Sequence, residues 1–248
     1  MKFEYTEVSG FLPAIIGMRL PMSKNFKDAK TKTTSGPCKK VSCENCVTAS
    51  KTDNCKKIES SDFQFTKEDL RVAQNLIRAD GKGSCGTPNS KFLQMIEVWV
   101  SIEAPLSFWS EFDTYRHMVK NSTSKMHKLH SYPIDEDCFE KNPLTKKVSD
   151  LVDIKKLEKQ RQKYNKTKDK KDWYELNDAI PSSWLQTRMC HFNYQTLRNI
   201  IMWRKNHKLN CWSGKDNSDM EYFIKWAKTL PFADELLFYE GVNKNDLS

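Results

Sequence analysis

The sequence has few glycines and prolines, no apparent internal repeat and no long apolar run. It holds 8 Gly and 9 Pro in 248 residues, while 38% of its residues are hydrophobic and 11% are aromatic. These proportions exclude a collagen-like or low-complexity chain and predict a globular protein with a sizeable core. No stretch approaches the roughly 20 apolar residues that cross a bilayer, and residues 1–10 lack the basic-then-apolar pattern of a signal peptide. We therefore expect a cytoplasmic protein that does not contact a membrane.

Several catalytic motifs are also missing. The glycine-rich turn that starts at Gly81 has neither the order of a P-loop nor that of a dinucleotide-binding turn. No H-E-x-x-H motif occurs, so His127 and His130 are not part of a zinc-protease ligand set. No G-x-S-x-G motif occurs either, so no serine nucleophile is indicated. The sequence alone assigns no catalytic residue.

The charge is strongly positive. A formal net charge of +9 and a pI near 9.0 suit a nucleic acid or nucleotide partner, or serve only solubility. Much of the excess lies in a basic connection at about 155–172, where Tyr164 is the only aromatic residue among the lysines before the segment ends. This composition favours a solvated helix face or a mobile connection over a base-stacking surface.

Four cysteines crowd into a lysine-rich insertion at about 24–62. Cys38, Cys43, Cys46 and Cys55 follow the spacing C-x4-C-x2-C-x8-C. Four thiolates in one short loop can hold a tetrahedral zinc ion, although only the central pair has a standard spacing. The alternative is an insertion with reduced thiols, because disulfides are disfavoured inside a cell.

The remaining pattern predicts an α+β chain with more helix than sheet. Residues 95–103 alternate between apolar and polar side chains, which is typical of a strand with one buried face. A second strand is predicted at 2–8, and a short helix is predicted within 11–22, with Arg19 near its end. Thr66 is placed to cap a further helix.

Two stretches carry candidate binding residues. In 104–127, Phe108, Trp109, Phe112, Tyr115 and Val119 recur at helical spacing, and the polar residues 121–124 that follow predict a loop. This helix end is either an anion site or the solvated end of an ordinary buried helix.

In the second stretch, residues 177–204, a helical apolar stripe accompanies Asn193, Asn199 and Arg204. Two amides and an arginine on one helix can pair with a base and a phosphate, and the alternative is a surface helix.

Taken together, the two stretches resemble the flavin-dependent thymidylate synthase family and its divergent phage relatives. The family pattern L-P-x(11)-N-x(3)-L-x-N-x(4)-R is matched at six spacings: Ile180, Pro181, Asn193, Leu197, Asn199 and Arg204. The family signature R-H-R-x-x-S-x-N-E-x-S-x-R-Y, aligned from Ala104 and Pro105, is matched by Arg116, Asn121 and Ser124. Six signature positions differ, namely Thr114, Tyr115, Val119, Ser122, Met126 and His127.

The resemblance implies a fold, a reaction and a set of ligands. The fold would be that of thymidylate synthase-complementing proteins, an antiparallel or mixed sheet with several helices in a single domain over 1–248, assembled as a homotetramer with shared active sites. The reaction would convert dUMP to dTMP, with FAD as cofactor and NADPH and a methylene-folate as co-substrates. No protein nucleophile is required.

The resemblance also implies a role for each matched residue. Arg116, Asn121, Asn193 and Asn199 would bind the flavin, whereas Ser124 and Arg204 would bind the nucleotide.

The missing signature arginines leave two alternatives open. Lys120, Lys125 or Lys128 would replace them as point charges without the bidentate fork of arginine. The substrate would then be dUMP or a modified pyrimidine nucleotide. Alternatively, the chain is a non-catalytic nucleotide- or nucleic-acid-binding phage protein on the same scaffold.

Overall fold

The computed structural model describes residues 1–38, 44–48, 63–80 and 89–240. The strands are β1 (Lys2–Ser9), β2 (Gly36–Pro37), β3 (Phe63–Gln64), β4 (Glu97–Pro105), β5 (Val119–Ser122) and β6 (Leu185–Asn193). The α-helices are α1 (Phe11–Arg19), α2 (Phe26–Lys32), α3 (Lys67–Ala79), α4 (Leu106–Phe112), α5 (Lys125–Lys128), α6 (Ile154–Thr167), α7 (Lys170–Asp178), α8 (Tyr194–Arg204), α9 (Asn210–Ser213) and α10 (Phe223–Lys228). Three short 3-10 helices lie at Leu20–Met22, Lys91–Met95 and Glu136–Cys138, and a π-helix spans Ala233–Leu237.

Four strands form one sheet in the order β1-β4-β6-β5, and β2 pairs with β3 in an antiparallel ribbon. The predicted alternation is confirmed in β4, where Val98, Val100 and Ile102 are fully buried and the intervening residues are half-exposed. The mixture of sheets and helices confirms the α+β class. Among the described residues, no helix is both long and apolar enough to cross a lipid bilayer.

The chain divides into two compact units, with the division falling within β1, β4 and β6. The first unit comprises Met1–Tyr5, Val100–Cys190 and Lys205–Trp226, and the second comprises Thr6–Trp99, His191–Arg204 and Ala227–Ser248. The expectation of a single domain stays a prediction.

The first unit has an aromatic core. The rings of Phe108 and Trp212 lie with centroids 4.3 Å apart, and Phe112 and Phe223 surround them. A second cluster consists of the buried side chains Leu129, Ile134, Phe139, Leu157 and Leu176. Because Leu157 and Leu176 belong to α6 and α7, this second cluster fixes the two helices against residues 129–139.

The second unit is built around another group of aromatic rings. Phe11 contacts Tyr194 edge to face, with centroids 5.6 Å apart, and it also contacts Phe63 and Phe232. Gly10 precedes α1 with φ +93°, and a Cβ at this position would collide with the carbonyl oxygen of Met95. Only glycine fits both constraints, which explains the residue at the start of α1.

The start of α3 is stabilised by the cap that the sequence predicts at Thr66. The Thr66 side chain accepts a hydrogen bond from the backbone N–H of Asp69, as the sequence indicates. Arg19, at the end of α1, donates to the fully buried Asp69 carboxylate through Nε at 2.9 Å and Nη2 at 2.6 Å. The arginine is therefore part of an internal ion pair.

Three predictions about local structure are corrected. The helix expected from Phe108 to Val119 ends at Phe112, and Val119 lies in strand β5 instead. The loop expected at 121–124 is partly strand, because β5 joins the sheet beside β6. Asn193 is the last residue of β6 and does not lie on the helix that carries Asn199. In each case pairing with a distant strand overrides the local helical spacing.

The basic connection at about 155–172 folds as helices α6 and α7, so the helical alternative is the one that the structure shows. The α6 residue Glu158 accepts hydrogen bonds from Arg161, at 2.6 Å and 2.7 Å, and from the backbone N–H of Ile134. The hydrogen bond from Arg161 is the main cause that lowers the pKa of Glu158 from 4.5 to about 2.

This shift predicts an acid-dependent loss of stability. A carboxyl whose pKa is lower in the folded state stabilises the fold above its unfolded pKa and loses that contribution as the pH falls. We expect the wild type to have a larger free energy of unfolding than Glu158→Gln. The difference should be largest above pH 4.5 and should shrink as the pH falls toward 2. Urea unfolding followed by circular dichroism across this pH range measures it. A difference that does not depend on pH would contradict the assignment.

Candidate functional site

A cavity of about 690 Å³ lies in the first unit, within the size range of small-molecule sites. Its walls come from the end of β5 with α5, from the loop that follows, and from the start of β6. The residues that line it are Thr123, Ser124, Lys125, His127, Lys128, Leu129, Tyr132, Pro133, Cys138, Trp184, Leu185 and Gln186. Apolar side chains thus form much of the lining, while cations and hydroxyls stand on the side that α5 supplies.

Backbone and side-chain hydrogen bonds fix the β5 side of the cavity. The N–H of Thr123 donates to the Thr187 carbonyl at 2.9 Å, and the Gln186 side chain donates to the Thr123 carbonyl at 2.8 Å. Arg188 in turn donates to the Gln186 side-chain oxygen at 3.1 Å. Gln186 is therefore held in place from two directions.

Ser124 begins α5 and lines the cavity. Its hydroxyl oxygen accepts a hydrogen bond from the backbone N–H of His127 at 3.1 Å, which leaves the hydroxyl hydrogen free to be donated elsewhere. Lys125 and Lys128 are three residues apart on the same helix and line the same cavity. Within the described part of the chain, neither lysine forms an ion pair.

Lys120, the third lysine considered as a replacement for a signature arginine, is engaged elsewhere. Its ammonium group lies 2.6 Å from an Asp113 oxygen, and both Asp113 oxygens accept hydrogen bonds from Arg188 at 3.0 Å. Burial raises the pKa of the Asp113 carboxyl, but the hydrogen bonds from Lys120 and Arg188 outweigh burial and hold it below its ordinary value. Lys120 is thus paired with Asp113, whereas Lys125 and Lys128 have no ion-pair partner among the described residues.

The guanidinium of Arg188 lies over the ring of Trp109, 4.3 Å from the centroid. The sequence analysis missed Arg188, because the pattern around it gives no signal that separates it from other basic residues.

Arg116 and Asn121 do not line the cavity. Arg116 is exposed in the segment between α4 and β5, and among the described residues it has no hydrogen-bond or ion-pair partner. Asn121 is exposed on β5. Of the three matched signature residues, the structure places Ser124 alone at the cavity.

The other predicted site residues belong to the second unit. The Asn193 side-chain oxygen accepts a hydrogen bond from the backbone N–H of Thr196 at 2.9 Å and so caps α8, while its amide hydrogens remain available. Asn199 and Arg204 lie on α8 and are half-buried. Since most residues of α8 are buried, it is a core helix, and the surface-helix alternative is wrong.

Cys138 places a thiol on the cavity wall. Burial raises the pKa of this thiol, so the thiolate is disfavoured. A nucleophilic role is therefore not indicated for this thiol.

The zinc prediction lacks support among the described residues. Cys43 and Cys55 lie outside them, Cys38 is half-buried, and the buried Cys46 thiol donates to the Gln64 side-chain oxygen at 2.9 Å. Across the described ranges, no group of three or more His, Cys, Asp or Glu side chains is placed to hold a metal ion. The four-cysteine site stays a prediction.

The α+β fold is similar to that of two solved flavin-dependent thymidylate synthases. A crystal structure of the flavin-dependent thymidylate synthase ThyX from Helicobacter pylori, complexed with FAD and dUMP, matches 98% of this chain and 100% of its own at a TM-score of 0.59 and 13% identity. A second structure of Thymidylate Synthase X from Helicobacter pylori with FAD and dUMP matches 95% of this chain and 97% of its own, at a TM-score of 0.58 and 13% identity.

No protein-family model and no curated protein matches the chain. The likeness therefore lies in the fold.

Proposed function

We propose that the protein is a flavin-dependent enzyme that alkylates C5 of a pyrimidine nucleotide, with conversion of dUMP to dTMP as the reference reaction. The observation that carries this proposal is the fold likeness over nearly the whole chain to proteins whose structures hold FAD and dUMP. The cavity at Ser124 supports it, because it combines apolar walls with unpaired cations.

The nucleotide is proposed to bind in this cavity. Ser124 donates its hydroxyl to the ligand, and Lys125 and Lys128 neutralise the phosphate as point charges. The apolar lining, including Trp184 and Leu185, excludes water around the pyrimidine. That Arg204, in the second unit, binds the nucleotide stays a prediction.

The residues proposed for FAD fit its chemistry. Arg116 offers an exposed guanidinium for a flavin phosphate, Asn121 an exposed amide, and Asn193 and Asn199 amide groups for the flavin ring. When bound, FAD reduced by NADPH would supply a hydride, a methylene-folate would supply the carbon, and C5 of the nucleotide would lose a proton. The chain's own part is to bind, orient and exclude water. A homotetramer is proposed as the assembly.

The visible absorption spectrum tests this proposal. We expect the purified protein to be yellow or to take up added FAD, and to form dTMP from dUMP when NADPH and methylene-folate are present. Asn199→Ala is expected to weaken FAD binding without loss of stability, because the described residues give this side chain no hydrogen bond. A colourless wild-type protein that neither binds FAD nor uses dUMP would overturn the proposal.

A further inference from the structure

Helices α6 and α7 form a hairpin that is anchored on one side. The buried side chains Leu157 and Leu176 enter the cluster beneath it. Arg161 and Asn165 each donate to the backbone carbonyl of His130, at 2.9 Å in both cases. These contacts define the face of α6 that packs against residues 129–139, so the opposite face is directed to solvent.

Three lysines occupy that opposite face. At 3.6 residues per turn, Lys155, Lys159 and Lys166 lie within about 40° of one another around the axis of α6. All three are exposed, and within the described residues none has an ion-pair partner. Because α6 rises about 1.5 Å per residue, the row extends over about 16 Å.

The acidic residues of the hairpin are engaged elsewhere. Residues 154–178 hold nine Lys or Arg and five Asp or Glu. Glu158 pairs with Arg161, and Lys163 lies between Asp172 and Glu175. Asp169 caps α7 by accepting from the N–H of Lys171. These carboxylates lie on the packed side of α6 or between the two helices. They therefore do not compensate the charges of the row formed by Lys155, Lys159 and Lys166.

A row of separate cations suits a ligand with repeated negative charge. One strand of a nucleic acid presents a phosphate about every 3.4 Å along a duplex axis, so a row about 16 Å long meets several phosphates. A single nucleotide would contact only one lysine of such a row. The hairpin therefore differs from the cavity at Ser124, where the lysines lie on one turn.

The aromatic side chains of the hairpin favour nucleic acid over an anionic membrane. Tyr174 is 49% exposed, and Lys170 lies over its ring. Rings beside cations are typical of surfaces that hold nucleic acid. Within 154–178, all of which the structure describes, no aliphatic side chain is strongly exposed to enter a lipid layer. We infer that the α6–α7 hairpin binds the phosphate backbone of a nucleic acid through Lys155, Lys159 and Lys166.

Fluorescence anisotropy with a labelled oligothymidylate tests this inference. Wild-type affinity should fall linearly with the logarithm of salt concentration, and each lost phosphate contact lowers the slope by about 0.7 for a single strand. The triple variant Lys155→Gln, Lys159→Gln, Lys166→Gln should therefore reduce the slope by about 2. Glutamine keeps a good helix propensity, so circular dichroism should show the same fold.

The control removes the same charge elsewhere. Lys27→Gln, Lys30→Gln, Lys91→Gln changes three exposed lysines of the second unit and should leave the slope unchanged. An equal loss in both variants would show only a net-charge effect and overturn the inference. So would a wild type that binds phosphatidylserine vesicles but not the oligonucleotide.

Discussion

Replacing Asp69 with alanine is expected to lower the free energy of unfolding by about 3–5 kcal/mol, the range for breaking a buried ion pair from one side. The Asp69 carboxylate is fully buried and accepts hydrogen bonds from Arg19 and from the backbone N–H groups of Thr34 and Ser35, at 3.0 Å and 2.7 Å. Its removal leaves the two N–H donors without their acceptor, and it leaves the largely buried guanidinium with only the Glu68 carboxylate, 3.2 Å away. Urea unfolding at neutral pH measures the effect.

The same carboxyl predicts the direction of the pH dependence. Burial raises the pKa of Asp69, but hydrogen bonds from Ser35 and Arg19 outweigh burial and hold it below 3.8. A lowered folded-state pKa stabilises the protein above pH 3.8, and this contribution is lost as the pH falls through the folded pKa. The wild type should therefore lose more stability in acid than Asp69→Ala does.

Asp150→Ala is the matched control for this prediction. Asp150 is exposed, and the structure gives it no ion pair among the described residues. Its replacement should change the unfolding free energy by no more than about 0.5 kcal/mol. If Asp69→Ala were as mild as the control, the network around Arg19 would not hold α1 and α3 together.

Replacing both cavity lysines should weaken dUMP binding strongly. A hydrogen bond to a charged group contributes about 1.5–3 kcal/mol, and about 1.4 kcal/mol is a factor of ten in affinity. Because Lys125 and Lys128 are partly open to solvent, we take the lower bound for each and expect the Kd for dUMP to rise about 100-fold in Lys125→Gln, Lys128→Gln. Isothermal titration calorimetry measures the change.

Two comparisons separate phosphate binding from other causes. Deoxyuridine lacks the phosphate, so its affinity should be similar in the wild type and in the variant. Lys27→Gln, Lys30→Gln removes the same charge from α2 and should leave the Kd for dUMP unchanged. An unchanged Kd in the cavity variant would remove both lysines from phosphate recognition while leaving the proposed reaction open to the spectral test.

The candidate site was partly predictable from the sequence. Ser124 was selected by its register in a family signature, and the structure places it on the wall of the 690 Å³ cavity. Arg116 and Asn121 were selected by the same register but lie outside the lining. Asn193 was placed on a helix and instead ends a strand, where its side chain caps α8. Register along the chain identifies residues, but it does not give the direction in which each side chain points.

The sequence by itself determined strand β4 and the start of helix α3. The alternation of β4 and the cap at Thr66 are local patterns, and local hydrogen bonding and burial suffice to enforce them. Only the tertiary structure decided where α4 ends and which cations remain available. Asp69 neutralises Arg19 across 50 residues, and Asp113 holds Lys120 while Lys125 and Lys128 stay unpaired within the described residues. Charge neutralisation depends on distance in space, which the order of residues does not specify.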